Sequence, residues 1–136
     1  MMRSYFMFFL VMGSAASADL VTFETPSENI QCVVGDAEQM TGISCTIIAR
    51  NGPIALPRPV ECPMDQWGHT FFMEKEGRVA GVCDAVPANL DGQRRAEYGR
   101  SEVFDGITCA SAETGLTCTN ADGHGFFLSR RQQRVF

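Results

Sequence analysis

No Cys-x-x-Cys pair, no His-Glu-x-x-His run and no Gly-x-Ser-x-Gly turn occurs anywhere in this chain. The first absence removes a thioredoxin-like redox pair and the usual zinc knuckle, both of which need two thiols at that spacing. The second removes a helix-borne zinc site of the metalloprotease kind, and the third removes the strained elbow that presents a hydrolase serine. Basic charge is not in excess either. The formal net charge is −5, and an acidic surface does not draw in nucleic acid through its net field. Apolar residues never recur at helical spacing over a sustained stretch. No cofactor and no metal is called for by any of this.

What is present begins with an address. The first residues, MMRSYFMFFLVMGSAASA, carry one early positive charge (Arg3), an apolar run from Tyr5 to Met12, and small residues ending at Ala18. That order is the secretory signal pattern, so residues 1–18 are expected to be a signal peptide and 19–136 a single exported domain. The apolar run is far shorter than the roughly 20 residues of a membrane-spanning helix, so no transmembrane segment is expected in the mature chain. Periplasm or extracellular space is the expected location, according to the envelope.

All six cysteines (Cys32, Cys45, Cys62, Cys83, Cys109 and Cys118) lie beyond the signal-like segment. An even count in an exported chain reads as a disulfide framework. Four of them belong to an internal repeat. "NIQCVVGDAEQMTGISCTI" (Asn29 to Ile47) is echoed by "GITCASAETGLTCTN" (Gly106 to Asn120), each reading Ile-x-Cys, a loop, then Thr-Gly-apolar-(Ser/Thr)-Cys-Thr. Alternation on both arms predicts two β-hairpins. If Cys32 faces Cys45, then Val34 faces Ile43 and Ile30 faces Ile47, which makes one face apolar. In the echo, Cys109 opposite Cys118 sets Ser111 against Leu116. Directly opposed residues in a non-hydrogen-bonded pair lie about 4.5 Å apart at Cα, close enough for a bridge. Cys62–Cys83 then remains as the third pair.

Between the repeats, "NGPIALPRPVECP" holds four prolines and is expected to be an extended loop. "HTFFM" and "RVAGV", joined through Glu74 to Gly77, read as a further hairpin. "VPANLDGQRRAEYG" has room for a short helical turn. The expected fold is all-β, a small disulfide-braced antiparallel sandwich or partly open barrel built from hairpins.

Chemistry is concentrated at "TNADGHGFFLSR". A three-residue loop, Ala121-Asp122-Gly123, pairs Cys118 with Phe126 and Leu116 with Leu128. Gly123 then supplies a positive φ, and His124 stands opposite Asn120 at the hairpin tip. His124 is the one candidate for catalysis, with Asp122 to orient it and Ser111 or Ser129 as nucleophile. His69 and nearby acids would have to join it to hold a metal, without any paired-ligand spacing. "NADGHG" is similar to a calcium loop but lacks further acidic ligands. A histidine beside a tight turn needs none of these roles.

Arg58, Trp67 and His124 are the candidate binding residues. Arg58 sits in Leu56-Pro57-Arg58-Pro59, a proline-stiffened surface whose ordering cost on binding is already reduced. It would also suit a trypsin-like pocket, except that Pro59 follows it. Trp67 and Phe71 offer an aromatic contact, and core packing is their simpler use. The terminal "SRRQQRVF" carries three arginines that could touch anionic lipid, against strands too short for a membrane barrel.

The markers "FETPSENIQC", "EYG", "GITCAS", "GLTCTN" and "GHGFFLSR" resemble a family of small exported bacterial domains of uncharacterised function, over Phe23 to Phe136. The resemblance implies a cysteine-braced exported domain and assigns no catalytic residue, cofactor or partner. The reading is therefore a non-enzymatic binding or envelope-interaction module for an unknown protein or envelope ligand. A small secreted hydrolase using His124, and a structural or membrane-associated envelope protein, are the alternatives. Non-reducing peptide mapping is expected to recover Cys32–Cys45 and Cys109–Cys118; a bridge joining one repeat to the other would break the register.

Overall fold

The computed structural model describes residues 21–37, 40–84 and 94–136. Among the described residues eleven strands form two sheets. The first sheet holds β1 (Val21–Glu24), β2 (Ile30–Ala37), β3 (Met40–Ile47), β4 (Thr70–Met73), β5 (Ala80–Val82) and β6 (Arg94–Arg95), in the order β5-β4-β3-β2-β1-β6. The second holds β7 (Ser101–Phe104), β8 (Ile107–Ala112), β9 (Gly115–Thr119), β10 (Gly125–Leu128) and β11 (Gln133–Val135), in the order β11-β10-β9-β8-β7. Every pairing is antiparallel except β1 with β6. A 3-10 turn at Met64–Gln66 interrupts the proline-rich connection. Among the described residues no helix is long and apolar enough to cross a membrane.

The internal repeat folds as two matching units. Cys32 faces Cys45 on β2 and β3, and Cys109 faces Cys118 on β8 and β9. Both pairs are bridged, each with Cα atoms 4.1 Å apart, and Cys62–Cys83 is the third bridge. The match extends to the next strand, since Cys45 faces Phe71 and Cys118 faces Phe126. These two phenylalanines meet between the sheets, with ring centroids 6.0 Å apart. Ile43, Met73, Leu116 and Leu128 pack around them without solvent exposure. Period-two alternation has thus put one apolar face of each unit against that of the other.

The repeated Thr-Gly step has a steric cause. Gly42 and Gly115 adopt φ of 151° and 149°. A Cβ would stand 2.3 Å from the Met73 carbonyl oxygen at Gly42 and 2.5 Å from that of Leu128 at Gly115. Only glycine permits both the backbone angle and the close approach of the third strand.

The hairpin from His69 to Val82 forms with Glu74 to Gly77 in its connection, pairing Thr70 with Val82. On the proposed helical turn, residues 86–93 lie outside the described residues. Of the rest, Arg94 and Arg95 pair in parallel with Phe23 and Glu24, the Ala96 amide donates to the Glu24 carbonyl, and Tyr98 and Gly99 form a turn. An edge beside β1 offered backbone partners that a four-residue helical turn would have left unused.

Replacing Gly115 with alanine is expected to cost about 1–3 kcal/mol and lower the melting temperature by several degrees, with Gly42→Ala giving a similar loss. An unchanged melting temperature for either would show that β9–β10 or β3–β4 do not approach as closely as described.

Candidate functional site

The hairpin tip carrying His124 is organised by a buried neighbour. Asn120 Oδ1 accepts from the amides of Asp122 and His124 at 3.1 and 3.0 Å. Its Nδ2 donates to the carbonyls of Glu74 and Gly77 at 3.1 and 2.7 Å. One side chain therefore closes its own turn and fastens it to the β4–β5 connection. Asp122 is spent on the same junction, where its carboxylate accepts from the Gly77 amide at 2.7 Å. Ser129 exchanges hydrogen bonds with Gln132 across its own turn. Ser111 lies on the inward face of β8. The half-buried His124 imidazole makes no hydrogen bond to the described residues, so Asp122 and the two serines are not gathered around it. His69 Nδ1 is taken up by the Ile47 carbonyl at 2.7 Å. Asn120 has a visible signal in the sequence, a polar residue that continues the inward alternation of Leu116 and Cys118.

The proline-rich loop is pinned at several points. The Arg58 guanidinium, although exposed, donates to the Cys62 carbonyl at 2.7 Å and closes its own turn. Trp67 is buried; its indole donates to the Leu56 carbonyl at 2.9 Å, and its ring lies over Gly81, where a Cβ would come within 2.5 Å. Gln133 joins the loop to the second sheet, accepting from the Ala55 amide and donating to the Gly68 carbonyl, each at 2.9 Å. Val60 and Met64 project from this braced loop into solvent.

A cavity opens elsewhere, on the side of the sandwich where β1 and β6 face β7 and β8. It measures about 420 Å³, within the range of small-molecule sites. Its floor is Phe23, Phe104, Cys109 and Leu116, with the two phenylalanine rings stacked at 5.4 Å. Its mouth is the segment 94–100, which leaves the first sheet as β6 and reaches the second as β7. That segment is anchored on β8: the Gly99 amide donates to the Ser111 carbonyl at 2.7 Å and the Ser111 amide to the Arg100 carbonyl at 3.0 Å. Arg94, Arg95 and Arg100 thereby come to the rim, together with Glu97 and Glu102. Arg94 is paired with Glu102 at 2.6 Å and Arg95 with Glu28 at 3.5 Å. Arg100 has no salt-bridge partner among the described residues.

The cavity lies where the two units differ. Aligned on their bridges, Val34 corresponds to Ser111, and their partners on β1 and at the start of β7 make Val21 correspond to Arg100 and Phe23 to Glu102. Three apolar positions of the first unit are polar or charged in the second, and all three line the cavity. Ser111 is only 4% exposed, and its Oγ has no hydrogen-bond partner among the described residues. Leaving such a hydroxyl buried and unpaired costs about 1–3 kcal/mol, which valine at the matching position avoids.

A family model described as a family of unknown function (DUF6636) matches residues 5–136. No curated protein and no solved structure matches the chain.

Asn120→Ala strips partners from two carbonyls and two amides and is expected to destabilise the fold by at least about 2 kcal/mol. His124→Gln is expected to shift stability by no more than about 0.5 kcal/mol. Chemical denaturation of both variants compares them directly, and equal losses would refute this division of labour.

Proposed function

We propose that this chain, which belongs to the DUF6636 family of unknown function, is an exported, non-enzymatic binding module whose ligand is a small anion with an apolar body. The signal-like residues 1–18 and three disulfides support export. The observation that carries the binding site is a cavity with an apolar floor and a rim of three arginines and two glutamates, lined also by Ser111, whose buried hydroxyl has no partner among the described residues.

Each part of that cavity has a recognisable use. Phe23, Phe104, Cys109 and Leu116 offer apolar surface that gains by expelling water, at about 25 cal/mol per Å² covered. The Arg100 guanidinium offers a charge-assisted fork for a carboxylate, sulfate or phosphate oxygen. Ser111, held beside Arg100 by their shared backbone bond, reaches the same oxygen once its buried hydroxyl turns toward the cavity. The chain stores an unsatisfied polar group here and relieves it when an acceptor arrives. Natural sequences depart from local consistency chiefly at such sites.

Among the described residues no acid or nucleophile is hydrogen-bonded to the His124 imidazole, which has a place in the turn rather than a reaction. The braced loop of Arg58 and Trp67, with Val60 and Met64 exposed, is a second contact surface compatible with the same module.

Calorimetric titration with decanoate tests the proposal. Single-site binding is expected, with Arg100→Ala and Ser111→Ala each weakening it at least fivefold. Arg58→Ala, at a residue that lines neither this cavity nor its neighbour, is expected to bind as the parent does. Ser111→Ala should also melt no lower than the parent, because the lost hydroxyl had no partner. Binding that ignores both Arg100 and Ser111, or no binding of the anion at all, would overturn the reading.

A further inference from the structure

We infer that the ligand is a single-chain lipid anion, with its headgroup at Arg100 and Ser111 and its alkyl chain running past Phe104 into a second cavity. The inference rests on the binding reading above and adds the ligand's class and direction. The second cavity, of about 380 Å³, lies next along the same strands and is lined on its apolar side by Val21, Val34, Phe104 and Ile107. Phe104 lines both spaces.

The order of residues on the strands makes the two cavities one path. On the inward face of β8, Ser111 and Cys109 line the first cavity and Ile107 lines the second. On β1, Phe23 lines the first and Val21 the second. Both strands thus run from one space to the other, divided by the Phe23–Phe104 stack. Ser111 and Ile107 are four residues apart, which at the strand rise is roughly 13–14 Å. That is a path for an extended chain rather than a compact ring system, and a headgroup at one end has Phe104, Val21, Val34 and Ile107 ahead of it before the charged rim of the second cavity.

Charge fixes the direction. Arg94, Arg95 and Arg100 rim the first cavity with Glu97 and Glu102, a positive balance, whereas Glu74, Glu76 and Asp105 rim the second with one lysine, Lys75, a negative one. An anionic headgroup is favoured at the arginine end and repelled at the other. Phe104 is half-buried at the boundary, a single side chain whose movement would join the two spaces.

A chain-length series read by calorimetry tests this: octanoate, decanoate, laurate and myristate, each below its micellar concentration. Affinity is expected to rise by two- to fourfold per added methylene, as burial of each CH₂ implies, and to continue rising beyond octanoate. Val34→Trp fills the second cavity and is expected to leave octanoate affinity within twofold while lowering myristate affinity at least tenfold. Should that variant fail to fold, Phe104→Ala provides the complementary reading, since joining the cavities should raise myristate affinity relative to octanoate. Octanoate binding that depends on Arg100 and Ser111 but gains nothing from a longer chain would overturn the second cavity's role and leave the binding site standing. Loss of octanoate binding to the parent protein would remove both.

Discussion

Two cystine bridges, Cys32–Cys45 and Cys109–Cys118, cross the hairpins at the centre of the core, and most of the structure is arranged around them. Each fixes the register of its pair absolutely, because a slip of one residue would turn the whole apolar set outward. Each also sets a row across its sheet, Phe23, Cys32, Cys45 and Phe71 in one and Cys109, Cys118 and Phe126 in the other. The two rows meet at Phe71 and Phe126, which closes one side of the sandwich. Bridges of this kind typically contribute about 2–4 kcal/mol apiece, a useful addition for short strands that bury a modest core.

The opposite side is closed differently. There the second unit places Ser111, Arg100 and Glu102 where the first has Val34, Val21 and Phe23, and the aromatic contact that remains is the Phe23–Phe104 stack. The segment 94–100 bridges the gap along its edge instead of filling it, through backbone bonds to Glu24 and Ser111 and the Arg94–Glu102 pair. The inter-sheet space is tight around Phe71 and Phe126 and roomy on this side. The same backbone pairing tolerates apolar residues at those three positions; Arg100 and Glu102 stand exposed to solvent, and Ser111 alone is a buried polar replacement.

Long-range polar contacts complete the frame with few residues. Asn120 ties the β9–β10 turn to the β4–β5 connection, Gln133 ties the proline-rich loop to the last strand, and Trp67 holds that loop over Gly81. Each satisfies backbone groups that a loop leaves without sheet partners. These residues are spread over distant parts of the chain, and the contact distances in sequence, 46 residues for Asn120 to Glu74 and 78 for Gln133 to Ala55, are far beyond any local pattern.

The amino-acid sequence by itself determined the hairpins, their registers, the bridge partners and the three-residue turn before His124. Those follow from alternation with period two and from counting residues across a turn, both local quantities. It also set the repeated glycine, since Gly42 and Gly115 recur at one step of the echo. Only the tertiary structure decided what lies opposite what between the sheets. The parallel pairing of Arg94–Arg95 with β1 has no local signature, because two residues carry no period. The gathering of Arg100, Ser111 and Phe23 around one cavity depends on how two sheets stack, and the distance of His124 from any assembled partner depends on Asp122 finding the Gly77 amide 45 residues away. Alternation says which residues face inward; only packing says which of them are met there by a neighbour and which, like the Ser111 hydroxyl, are left without one.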